Sequence, residues 1–127
     1  MTRINCGIPP AELHDKHLLA EHREIKRIPN TIASGKAVIQ NIPDSFRLGS
    51  GHVKFFYNKL GYLLKRYKAI HAECLNRGYK VTDYENCWQG LPKNLMLDYK
   101  PKEQDKLIVR QRIYERLKAM KQKKAAI

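Results

Sequence analysis

Val53, Phe56, Leu60, Leu63, Tyr67, Ile70 and Cys74 recur at alternating steps of three and four residues. That spacing lines all of them along one side of an α-helix, whereas the two-residue repeat of a strand would scatter them over both faces. The stripe predicts a helix over 50–77, with Gly78 behind Asn76-Arg77 as its C-terminal cap. Gly61 lies inside it and is expected to cost about 1 kcal/mol relative to Ala.

One striped helix cannot bury its own face, so partners are needed. Pro9-Pro10 opens a second helix over 11–28, with Pro10 near the first position, where its missing N–H is harmless. Pro29 and Gly35 are expected to close it. Leu13, Leu18, Leu19, Ile25 and Ile28 are its only strongly apolar residues, so it crosses solvent or lines a site. A third helix, over 102–124, buries Val109, Ile113, Leu117 and Met120 and carries nine basic residues against three acidic ones. Between the last two helices, 80–102 reads as loop, with Trp88, Gly90, Pro92 and Pro101. Sustained alternation of apolar and polar residues is missing, so no strand is expected. The predicted fold is all-α: one domain over 1–127, built from three main helices and long connecting loops.

Charge narrows the partner. Twenty-five Lys and Arg oppose 12 Asp and Glu, a net charge of +13, and a small domain with such a field pairs with a polyanion. Lys54, Lys65, Arg66, Arg110 and Arg116 are expected to meet phosphates. No apolar run approaches the ~20 residues of a membrane span, and the N-terminus lacks the apolar core of a secretion signal. The expectation is a cytoplasmic protein that meets no membrane. Cys6, Cys74 and Cys87 are odd in number and not spaced as metal ligands, which fits reduced thiols.

Several residues could carry chemistry. Thr2 is small enough for Met1 to be removed, and the exposed α-amine would titrate near ~7.7–8.0, against ~10.4 for a lysine. Such an amine is a nucleophile at neutral pH without any burial. His17, Glu21 and Glu24 fall at i, i+4 and i+7, giving one helix face an imidazole and two carboxylates. Arg23 and Arg27 form an adjacent pair that could keep a carboxylate ionised or hold phosphates. A solvated face of mixed charge accounts for the same pattern. His14, His17 and Glu21 could ligate a metal, although a second cluster to complete the site is missing. Gly49-Ser50-Gly51 could cradle a phosphate or form a hinge with Ser50 as a cap, and Trp88 could stack on a base or anchor its loop.

Separated segments of the chain resemble one family. Met1-Thr2-Arg3-Ile4-Asn5 and the run from His17 to Glu24, with Arg27 just beyond, closely resemble the pyrimidine-dimer DNA glycosylase/AP lyases of the endonuclease V type, the phage-type repair enzymes. The run from Leu48 to Leu60 resembles that family's second helix and its approach, and Glu73 to Tyr79 resembles that helix's end. The likeness covers about the first 80 residues and continues loosely to the third helix.

The resemblance implies an N-terminal segment threaded between the helices. It also implies a glycosylase with coupled AP lyase activity, acting on damaged double-stranded DNA and most readily on cyclobutane pyrimidine dimers. Thr2 and Glu24 would be catalytic, the first as the attacking amine, the second as the carboxylate that stabilises the cationic sugar and assists proton removal. Arg3, Arg23 and Arg27 would hold the DNA, and His17 would position the sugar. An imine intermediate needs neither metal nor other cofactor, and the enzyme is expected to work as a nucleoid-associated monomer without an obligate protein partner.

The family's aromatic-rich tail is replaced here by Lys121-Gln122-Lys123-Lys124-Ala125-Ala126-Ile127, from which Lys121, with Lys118, would grip DNA instead. Other readings remain open at this point. They are a glycosylase or lyase for another damaged base or for abasic sites, a non-enzymatic basic DNA-binding protein, and a metal-dependent nuclease.

Overall fold

The computed structural model describes residues 1–125. The last two residues of the basic terminus, 126–127, lie outside the described residues, as do the side chains at 124 and 125. Five α-helices follow in order: α1 (Asp15–Glu24), α2 (Arg27–Ala33), α3 (His52–Phe55), α4 (Leu60–Asn76) and α5 (Glu103–Ala125). Short 3₁₀ turns cover Pro10–Glu12, Glu85–Trp88 and Lys93–Leu95. No strand occurs among the described residues, so the all-α expectation holds. No helix among them is long and apolar enough to cross a membrane.

Two of the three expected helices are divided, each for a physical reason. The expected 11–28 helix stops at Glu24 and restarts at Arg27. Proline excludes the carbonyl four residues before it; for Pro29 that is Ile25, where the helix breaks. Pro29 therefore does not end the first helix from behind, as the sequence reading has it, but sits buried in the first turn of α2. At the other end, His14 caps α1 by accepting from the Lys16 N–H at 3.1 Å.

The expected 50–77 helix is split into α3 and α4 by residues 56–59. Ser50 is not the cap; Gly51 is, at φ 87°. Lys59 forms an antiparallel bridge with Met96, and the Tyr62 N–H donates to the Leu97 carbonyl at 3.2 Å. Gly61 is what lets these backbones approach. A Cβ built there would stand 2.6 Å from the Met96 carbonyl oxygen. Gly61→Ala should therefore destabilise, by about 1–3 kcal/mol from overpacking, opposite in sign to the gain that helix propensity alone gives. Urea denaturation checks the sign.

The apolar stripe survives the division: all its members but half-buried Val53 are buried. The C-terminus of α4 is as expected. Gly78 has φ 85°, and the Gly78 and Tyr79 amides donate to the Leu75 and Cys74 carbonyls. That is the pattern of a glycine-capped helix end. Trp88 packs on Tyr67 with ring centroids 5.1 Å apart, so it anchors its loop and offers no face for a base.

In α5 only part of the expected apolar face is covered. Val109 is fully buried, whereas Ile113, Leu117 and Met120 are half-buried. The distal half of the helix thus runs past the core, with Lys118 and Lys121 exposed.

The N-terminal segment is threaded through the molecule. Ile4, Cys6 and Ile8 are buried in the core. Polar groups of residues 3–7 bond outward to α1 through Glu21 and Glu24, to α3 through His52, to α4 through Tyr62 and to α5 through Arg112.

Candidate active site

The first five residues form no regular element, so their backbone amides must find partners elsewhere. The Arg3 N–H donates to Glu24 Oε1 at 2.9 Å, and the Ile4 N–H donates to His52 Nε2 at 2.9 Å. Consecutive backbone nitrogens stand less than about 4 Å apart, so the Thr2 nitrogen lies within about 7 Å of the Glu24 carboxylate. Thr2 itself is half-buried and lines a cavity of about 280 Å³ with Arg3, Gly49, His52 and Arg112. Met1 precedes it, and the Met1 carbonyl accepts from Arg27 Nη1 at 3.0 Å.

Glu24 is in an awkward place for a carboxylate. It is 8% exposed and is the last residue of α1, where the helix dipole disfavours negative charge. Its partners are the Arg3 amide and, at 3.9 Å, the exposed guanidinium of Arg23. A carboxylate held at the wrong end of a helix, with unused acceptor capacity beside a cavity, breaks a local rule in the way functional sites do.

Glu21, one turn earlier, is the opposite case. Arg66 Nε and Nη2 both donate to it, the latter at 3.0 Å, and Asn5 Nδ2 donates at 2.8 Å. Arg66 is 7% exposed and also donates to the Ile8 carbonyl. It holds the fold together and meets no phosphate, which corrects the sequence expectation. Glu21 is likewise unavailable as a metal ligand with His14 and His17. Among the described residues no group of three or more His, Cys, Asp or Glu side chains is arranged to hold a metal ion. Removing the positive partner should be costly: Arg66→Met leaves a buried carboxylate uncompensated and should lower stability by about 3–5 kcal/mol, measured by denaturant titration.

A band of positive charge faces Glu24. A cavity of about 30 Å³ between α1 and α5 is lined by Glu24 with Arg3, His17, Arg112 and Arg116. Arg112 Nη2 donates to Asn5 Oδ1 at 3.0 Å, and burial, then its neighbours Arg116 and Arg3, push its pKa down to about 10. The His17 pKa is lowered by burial and then by His14 and Arg116, so its imidazole is neutral at pH 7. His17 Nδ1 is buried without a hydrogen-bond partner.

The structure thus brings Thr2, Arg3, His17, Arg23, Glu24 and Arg27 to one region. It does not bring Lys118 and Lys121 there. Those two line a separate groove of about 450 Å³ with His14, Tyr114 and Met120. Sequence reasoning missed Asn5, His52 and Arg112. Arg112 had a signal, since it falls four residues before Arg116 on a helix already read as basic; His52 had none beyond lying in a family-like segment.

A carboxylate beside the N-terminal segment, ringed by arginines on a chain of charge +13, suits work on a DNA sugar and its phosphates. Comparison with known proteins agrees. The family model for pyrimidine dimer DNA glycosylases, enzymes whose substrate is DNA, matches residues 1–84. With that match over well more than half its length, the chain belongs to the pyrimidine dimer DNA glycosylase family.

Proposed function

We propose that this glycosylase acts on cyclobutane pyrimidine dimers and couples base removal to AP lyase cleavage through an imine on Thr2. The observation that carries this reading is the 2.9 Å bond from the Arg3 amide to Glu24, which keeps a carboxylate beside the nitrogen of the preceding residue. Once Met1 is removed, that nitrogen is a primary amine with a pKa of ~7.7–8.0, a fair fraction of it neutral at pH 7.

The chemistry then runs as follows. The amine attacks C1′ of the damaged nucleotide, the glycosidic bond breaks, and the base leaves with the bonding electron pair. The ring oxygen leaves C1′ as the sugar opens and picks up a proton, giving a protonated imine. Glu24 faces positive charge at both stages and stabilises it. The imine acidifies C2′; loss of that proton to the carboxylate expels the 3′-phosphate by β-elimination. Water then hydrolyses the imine and frees Thr2. No step calls for a metal ion.

The remaining residues handle the substrate. Arg3, Arg23 and Arg27 hold phosphates, which planar guanidinium groups grip with two parallel hydrogen bonds. His17, neutral and with an unpartnered Nδ1, orients the sugar. Lys118 and Lys121, on the exposed half of α5, hold the duplex away from the lesion.

A duplex carrying one defined dimer tests the reading. Strand cleavage at the dimer, with an unsaturated aldehyde left on the 3′ end, is the expected result. Base release without strand cleavage would remove the lyase half of the proposal, and cleavage of undamaged duplex at the same rate would remove its lesion specificity.

A further inference from the structure

His52 is 3% exposed, and its two ring nitrogens have different partners. Nε2 lies 2.9 Å from the Ile4 nitrogen, and Nδ1 lies 2.8 Å from the Arg47 carbonyl oxygen. An amide can only donate and a carbonyl can only accept. The tautomer follows from this: Nδ1 carries the proton and gives it to Arg47, while bare Nε2 accepts from Ile4. The rings of Phe46 and Phe56 stand at 5.4 Å and 5.6 Å, nearly edge-on, and fix the imidazole plane. Gly51, the cap that starts α3, places His52 at the first position of that helix.

The Ile4 amide is two residues from the Thr2 nitrogen, with only the Arg3 amide, itself on Glu24, between them. The terminal segment is therefore pinned at successive amides from opposite sides, by Glu24 from α1 and by His52 from α3. The Thr2 cavity has His52 in its wall.

We propose that neutral His52 is the positioning residue for the nucleophile: by accepting the Ile4 N–H it sets where the Thr2 nitrogen stands relative to Glu24. This rests on the imine reading above. It goes further by assigning the alignment of the amine to a side chain whose two ring nitrogens are both taken by backbone groups.

The arrangement depends on pH. A proton on Nε2 would face the Ile4 N–H donor to donor, and the pin would be lost. Burial lowers the His52 pKa, with Arg112 of α5 acting in the same direction; the bond to the Arg47 carbonyl and the Glu21 carboxylate of α1 act against it. The Thr2 amine and Arg3, in the terminal segment, are the other charged groups at this cavity. The folded state thus favours the neutral ring, and the pin is present at neutral pH and lost as pH falls through the lowered pKa.

Single-turnover cleavage by the processed enzyme, with His52→Leu and His52→Gln alongside, tests the assignment. A glutamine can present an acceptor near the Nε2 position but cannot be protonated there. His52→Leu should lose roughly 10²-fold in rate, the scale of a misplaced reacting group, with DNA affinity little changed; His52→Gln should recover most of that loss. As pH falls below the amine range, log rate should fall with a slope near one in the wild type, steepening by a further unit once pH passes below the lowered His52 pKa. In His52→Gln that further unit should be missing over the same acid range, because position 52 no longer takes a proton.

Equal slopes in the two enzymes overturn the proposal, whether or not His52→Leu folds. A folded His52→Leu with wild-type rate overturns it as well. Borohydride trapping of the wild type runs in parallel: an untrappable wild type overturns the imine reading itself, whereas a trappable one beside equal slopes overturns the role of His52 alone.

Discussion

Glu24→Gln should bind damaged duplex within a few-fold of the wild type and lose roughly 10²–10⁴-fold in single-turnover base release. Glutamine keeps the length of the side chain and an oxygen that can still accept from the Arg3 amide, so the terminal segment stays where it is. Only the negative charge goes, and with it the stabilisation of a cationic sugar and the acceptor for the C2′ proton. The neighbouring carboxylate cannot stand in. Glu21 is 1% exposed and committed to Arg66 and Asn5, so it would have to break the core to reach the sugar. A loss below tenfold would show that charge at position 24 is not used in the chemistry.

A chain that keeps Met1, or carries any N-terminal extension, should lose at least ~10³-fold in cleavage, because its Thr2 nitrogen is an amide whose lone pair is delocalised into the adjoining carbonyl. Such a nitrogen does not attack C1′, and the free α-amine then sits at least one residue away, on Met1 or on the extension, out of the place the Arg3–Glu24 bond sets for the Thr2 nitrogen. Retained Met1 also occupies Arg27 through its carbonyl, so phosphate binding should weaken too. Protein made with a removable N-terminal extension, assayed before and after its removal, checks both effects. Full activity with the extension in place would mean that the nucleophile lies elsewhere.

How much of this could be read in the sequence depends on how local each feature is. The stripe from Val53 to Cys74 is a periodic pattern, and its buried face came out as read because periodicity reports burial whether or not the helix is continuous. The division of that helix at 56–59 is invisible locally. It depends on residues 96 and 97, far along the chain, docking against Gly61. The break before α2 was within reach, since Pro29 acts on the carbonyl of Ile25, and the sequence reading placed its effect four residues too late. Charges were the hardest to assign. Arg66 and Lys65 look alike as neighbours on a basic helix, yet one is buried against Glu21 and the other is exposed beside Asp98. The threaded terminus, with Ile8 and Asn5 at the same ion pair, is what receives Arg66 in the interior. The cluster around Glu24 was visible because its members are close in sequence or belong to one family-like pattern. Asn5 and Arg112 meet across 107 residues, and nothing in either neighbourhood announces the other.

Borohydride reduction during cleavage of a duplex with one defined dimer tests the central chemistry most directly. An imine that forms on the enzyme is reduced to a stable amine, and peptide mapping then locates the attached sugar. The adduct should sit on the α-nitrogen of Thr2, in a chain from which Met1 has been removed. An adduct mapped to a lysine, or strand cleavage at full rate with no adduct at all, would contradict it.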